Sequence, residues 1–197
     1  YQEVMDVLKL AGKQVIEFSG IMPNPTYSKV MEGKKVVQEN QVDLILAVGG
    51  GSVMDCSKAI SMAAATDKDV WEEYWIKKGE IDFEPVPVGV IVTVVGTGSE
   101  VNGEGVITHE EQKIKTSRNY PRCNPVFAMM DPKYTYTVSP LQTAAGGFDM
   151  LSHVIETFFS APDEDNLSDA MSEALIRGIL ENLPEAHRDT AHYEARS

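Results

Sequence analysis

The stretch AVGGGSVMDCSKAI, residues 47–60, decides the fold. It closes the apolar run DLILAV (43–48), breaks on Gly49, Gly50, Gly51 and Ser52, and reopens as an apolar pattern over 53–65. A nearly continuous apolar run is what a parallel strand covered on both faces requires, and the pattern after it has helical spacing. A strand that ends in glycine and serine at the head of a helix lets backbone N–H groups approach a phosphate, while the helix dipole favours its charge. A plain turn rarely needs more than one residue at positive φ, so three successive glycines point to a phosphate loop at Gly50, Gly51 and Ser52. The spacing is not GxGxxG, and the usual dinucleotide fingerprint does not apply unmodified.

Upstream of that stretch, Val4, Val7, Leu8 and Ala11 are spaced for one helix face, which Gly12 stops. Residues 14–18 read as a short strand. Asn24 and Pro25 are expected to cap and open a second helix carried by Tyr27, Val30, Met31, Lys34 and Val37. Downstream, 67–83 reads as a polar surface connection bearing Trp71, Tyr74 and Trp75. A second buried strand over 86–95 ends in Gly96, Thr97, Gly98 and Ser99. Residues 106–108 and 113–116 form a hairpin, and 125–131 is the last strand.

Alternating strands and helices predict an α/β fold with a parallel sheet. Ligands gather at the carboxyl ends of such strands, so two glycine loops on one edge suit one extended nucleotide. The pattern opens on a helix, which predicts that the unit's first strand is missing from this sequence.

The character changes at Ser139. Ser139, Pro140, Leu141 and Gln142 make a capping box with proline at the first helical position. Helices follow over 148–160 and 166–183, the latter with apolar positions at Leu167, Met171, Leu175 and Ile179. The expected boundary therefore separates an α/β domain, 1–138, from the start of a helical domain, 139–197. Asp149 and His153 lie four apart, on one helix face, where a carboxylate oxygen and an imidazole nitrogen can hold two positions of one divalent metal. On these residues alone, an acid near a helix N-terminus and a hydrogen-bonded core histidine explain the pair better than a metal does. Asp163 and Asp165 read as a solvated loop, His187 and His192 as surface residues.

Lys+Arg 17 against Asp+Glu 30 leaves a net charge of −13, which repels phosphate backbones and argues against nucleic acid as a partner. Cys56 and Cys123 fit no metal or redox spacing and read as buried thiols. The longest apolar stretch is too short to span a bilayer, so no membrane partner and a cytoplasmic location are expected.

Six segments in order carry a resemblance. They are Pro23-Asn24-Pro25, GGGSVMDCSKAI (49–60), TVVGTGSEVN (93–102), the hairpin with Lys115, Asp131-Pro132, and AAGGFDMLSHVIE (144–156). Together the chain resembles the iron-containing (group III) alcohol dehydrogenases, most closely their butanol-dehydrogenase-like branch. The resemblance implies a dehydroquinate-synthase-like nucleotide domain followed by a helical domain. It implies that Gly50, Gly51 and Ser52 hold the pyrophosphate of NAD or NADP, with NADPH slightly favoured. Asp55 would lie near the nicotinamide, Thr93, Thr97, Asn102 and Lys115 would complete the site, and Asp149 and His153 would be the first two ligands of Fe²⁺ or Zn²⁺. The implied reaction is hydride transfer between nicotinamide and a primary alcohol or aldehyde, with the metal as Lewis acid and no separate general base.

The family uses two further histidines downstream, whose expected place lies past Ser197. The sequence is thus expected to be partial and inactive alone, with the intact enzyme a homodimer. A glycerol-dehydrogenase-like or dehydroquinate-synthase-like sister enzyme, or a nucleotide-binding fragment without turnover, are the alternatives.

Overall fold

A computed structural model describes residues 2–160 and 166–197. Two compact units are found, one formed by residues up to Ile91 with Ser99–Ala128, the other by Val92–Gly98 with the described part of Met129–Ser197.

The first unit runs α1 (Gln2–Leu10), α2 (Tyr27–Glu39), β1 (Ile45–Gly49), α3 (Gly51–Ala64), a π-helical turn (Trp71–Ile76), β2 (Val88–Val92), β3 (Glu104–His109), β4 (Ile114–Asn119) and β5 (Phe127–Met129). Its parallel sheet has the order β1-β2-β5. All five residues of β2 are buried, as a central strand covered on both faces requires. The hairpin forms as expected, β3 pairing antiparallel with β4 and Thr108 opposite Lys115. Helix α3 is buried at every residue from 56 to 63, packed by α2, β1 and β3, which is why its sequence lacks a polar stripe.

Three expectations fail here, each for a physical reason. Residues 14–18 form no strand. A strand exists through its ladder partner, and these residues instead line, with residues 42–48, a cavity of about 710 Å³. The second helix is capped by Thr26, whose Oγ1 accepts from the Lys29 N–H at 3.3 Å, while Asn24 takes a positive φ of 55° in the preceding turn. The connection over 67–83, expected at the surface, sends its aromatic residues into the core while its polar residues stay outside. Trp71, Tyr74 and Trp75 are buried on one π-helical turn, the Trp71 indole donates to Gln112 at 2.8 Å, and Tyr74 meets Phe83 and Tyr120 edge-on. Polar neighbours masked that burial, because a π turn follows no helical or strand period.

The second unit holds the loop 92–98 and α4 (Pro140–Phe158), α5 (Leu167–Arg188) and α6 (Tyr193–Arg196). Ser139 caps α4 by accepting from the Gln142 N–H at 3.3 Å, so the helix expected over 148–160 is the continuation of one that begins at Pro140. Asn166 and Asp169 form a reciprocal capping box on α5. The two helices meet at Gly147, where an added Cβ would stand 2.4 Å from the Leu183 methyls. The Arg196 guanidinium donates to Thr135, Thr143 and the Ala186 carbonyl, drawing α6 onto the unit. Of the apolar positions that marked α5, Leu167, Met171 and Leu175 are exposed and Ile179 is half-buried. Asp163 and Asp165 lie outside the described residues. Among the described residues, no helix is long and apolar enough to cross a membrane.

Candidate functional site

The loop 49–52 follows β1 directly. Its glycines all avoid positive φ, so the conformational argument for them does not hold. Gly49 is needed for space, since a Cβ would fall 2.5 Å from Val53 Cγ2. Gly50 is extended (φ −96°, ψ −167°), a conformation any residue adopts, and it places no side chain over the start of α3. Helices α2, α4 and α5 are capped by Thr26, Ser139 and Asn166, whereas α3 has no side-chain cap. Its first turn, at Gly51 and Ser52, presents backbone N–H groups with the positive end of the helix dipole.

The second loop, in the other unit, has the opposite logic. Gly96 (φ +141°) and Gly98 (φ +66°) occupy conformations that favour glycine. A Cβ on Gly96 would stand 3.2 Å from Asp149 Oδ2, and one on Gly146 would stand 2.7 Å from the Val95 carbonyl. The loop therefore lies against α4 beside the Asp149 carboxylate. Thr93 is half-buried and Thr97 exposed at its two ends.

Asp149 and His153 lie one turn apart on α4, with Oδ1 and Nε2 3.8 Å apart and side chains 47% and 58% exposed. Two donors each about 2.1 Å from one ion can lie no more than about 4.2 Å apart, so the pair fits two positions of a single divalent metal. Among the described residues no group of three or more His, Cys, Asp or Glu is gathered. His187 is exposed, and His192 caps α6 through Nδ1.

Asp55 lies on α3 in the first unit, and here sequence reasoning missed its company. Its Oδ1 accepts from Ser99 Oγ at 2.6 Å and its Oδ2 from the Val106 N–H at 3.1 Å. The Lys58 ammonium, buried in the same cluster, donates to the Ser99 carbonyl, Ser99 Oγ, Asn102 Oδ1 and the Glu104 carbonyl. Burial raises the Asp55 carboxyl above its ordinary pKa, against the pull of the Ser99 and Val106 hydrogen bonds and the Lys58 charge. Burial likewise lowers Lys58, against the nearby Asp55 carboxylate. The missed signal was an Asp and a Lys three apart within an otherwise apolar or small-residue helix. Lys115, on β4, donates to Asn24 Oδ1 at 2.6 Å, away from that cluster. Burial pushes the Cys56 thiol up to about 12 and Cys123 up to about 11, so both are inert, as expected of buried free thiols.

The fold and these loops define an α/β protein with an open helix N-terminus at a strand end and an exposed carboxylate–imidazole pair on a later helix. The chain belongs to the iron-containing alcohol dehydrogenase family: residues 1–132 match that family, and residues 143–197 match the C-terminal region of the Fe-containing alcohol dehydrogenases. It is 39% identical over 196 residues to a probable NADH-dependent butanol dehydrogenase 1 of Bacillus subtilis, covering 100% of this chain and 50% of that protein. Against the NADPH-dependent aldehyde reductase YqhD of Escherichia coli it is 35% identical, covering 99% and 50%. The crystal structure of NADH-dependent butanol dehydrogenase A from Thermotoga maritima superposes with a TM-score of 0.92 at 35% identity, covering 100% of this chain and 48% of that one. The chain thus spans about half the length of the relatives it matches.

Proposed function

We propose that this chain contributes the nucleotide site and the first two metal ligands of an oxidoreductase that moves a hydride between NAD(P) and a primary alcohol or aldehyde. The observation that carries the reading is the loop 93–98 lying against α4 within one compact unit, with Gly96 packed beside the Asp149 carboxylate of an exposed carboxylate–imidazole pair. Residues 1–138 act as the nucleotide-binding part and 139–197 as the beginning of the metal-binding helical part. Gly50, Gly51 and Ser52 receive the pyrophosphate at the uncapped start of α3. Asp55, Thr93, Thr97, Asn102 and Lys115 orient the remainder of the nucleotide, and Asp149 and His153 hold Fe²⁺ or Zn²⁺. When bound, the ion supplies Lewis acidity toward the substrate oxygen and the nicotinamide supplies the hydride. Named relatives include both NADH- and NADPH-dependent enzymes, and this reading takes NADPH first. The working form is a cytoplasmic homodimer.

The test is Gly51→Val, titrated with NADH and NADPH alongside the wild type. A branched side chain at the first turn blocks phosphate approach, and affinity falls by about tenfold or more, the equivalent of at least one hydrogen bond to a charged group. Equal affinity in both proteins contradicts the phosphate loop.

A further inference from the structure

Lys58 is the buried lysine of this fold among the described residues, 2% exposed on α3 between Ser57 and Ala59. An ammonium is costly to remove from water, and an apolar side chain of similar volume would fill the same space without that cost. What the ammonium adds is a set of hydrogen bonds to one segment. It donates to the Ser99 carbonyl at 2.6 Å, Ser99 Oγ at 2.8 Å, the Glu104 carbonyl at 2.9 Å and Asn102 Oδ1 at 3.3 Å. Three N–H groups face four oxygens, so every donor is used.

The same hydrogen bonds orient two neighbouring side chains. Ser99 Oγ accepts from Lys58 and passes its own proton toward Asp55 Oδ1, linking the ammonium to the carboxylate through one hydroxyl. Asn102 Oδ1 accepts from both Lys58 and the Glu104 N–H at 2.9 Å. Two donors on the amide oxygen fix which end of that side chain faces inward. The NH₂ group of Asn102 is thereby turned away from the ammonium, as a donor.

We propose that Lys58 is a positioning residue of the nucleotide site: its ammonium clamps residues 99–104 onto α3 and sets the Asn102 amide with its NH₂ group presented to an acceptor on the nucleotide. The proposal rests on the nucleotide reading given above. Lys58 touches neither coenzyme nor substrate in it and acts through Asn102.

Lys58→Met in the full chain keeps an unbranched side chain, one atom shorter, and removes the charge. Titrated with NADH and NADPH, it binds about tenfold more weakly than wild type, the loss of one oriented hydrogen bond. Asn102→Ala weakens binding by a similar factor, and the double variant is no weaker than either single one, because both remove the same contact. In wild type the side-chain NH₂ resonances of Asn102 shift on adding NADH, and in Lys58→Met they do not. If Lys58→Met fails to fold, Ser99→Ala, which breaks the link to Asp55 and one bond to the ammonium, carries the test with the same loss in smaller measure and a reduced Asn102 shift. Wild-type affinity in a folded Lys58→Met or in Ser99→Ala, or losses that multiply in the double variant, overturns the inference while leaving the nucleotide reading intact. Absence of NADH and NADPH binding by the wild-type chain overturns both.

Discussion

Asp55 and Asp149 each sit on a helix with a basic side chain on the same face, and they meet opposite fates. Asp55 has Lys58 three residues on, and Asp149 has His153 four residues on. Around Asp55 every acceptor has a protein donor: Ser99 Oγ on one oxygen, the Val106 N–H on the other. Asp149 stands nearly half exposed, its approach to His153 no closer than 3.8 Å. Spacing along a helix fixes which side chains can meet. Burial fixes whether the protein or something from solution satisfies them. The Asp55 cluster is closed by the fold, whereas the Asp149 pair is left with lone pairs to offer, which is what a ligand site requires.

The contrast can be broken by making the same truncation in both places. Asp55→Ala strands the Lys58 ammonium in the interior and leaves Ser99 and the Val106 N–H without an acceptor. Losing one partner of a buried pair costs about 3–5 kcal/mol, read as a large fall in the denaturant midpoint. Asp149→Ala, at an exposed position, changes stability by no more than about 0.5 kcal/mol. Equal losses would mean that the two carboxylates do the same structural job.

A smaller effect sharpens the picture of the second loop. Gly96→Ala places a Cβ on a residue at φ +141° and 3.2 Å from Asp149 Oδ2, so the backbone is strained and the carboxylate must move by a few tenths of an ångström. The strain costs about 1–3 kcal/mol. Because Asp149 is displaced, the variant also loses divalent-metal affinity, unlike Gly98→Ala, whose added Cβ meets nothing within 4 Å. Matching metal affinities in the two variants would separate the loop from the aspartate.

Much of this was legible in the sequence, and the misses have a common cause. The apolar runs before Gly49 and Gly96 placed β1 and β2, the capping box at Ser139 placed the start of α4, and apolar spacing placed α5, because period and cap chemistry are local. The candidate residues were legible one by one, but their partners were not. Lys58 reads as an ordinary polar helix residue until β3 and residues 99–104 are folded over it. Trp71, Tyr74 and Trp75 failed to register as core because a π turn matches neither period. Three glycines at 49–51 looked like a demand of the backbone, yet the demand for positive φ lies at Gly96 and Gly98. That distinction depends on ψ and φ values that residue identity alone does not set.

The central claim is that the exposed pair on α4 is a metal position and the buried pair on α3 is not. The direct measurement adds Co²⁺ in steps to the full chain and follows the paramagnetic shifts and broadening of its backbone amide resonances. The account predicts that the residues around Asp149 and His153, together with Gly96, respond first. It predicts that this response disappears in both Asp149→Ala and His153→Ala, while the amides around Asp55 and Lys58 stay unmoved in all three proteins. A response at Asp149 and His153 that survives either substitution, or one centred on Asp55, would contradict it.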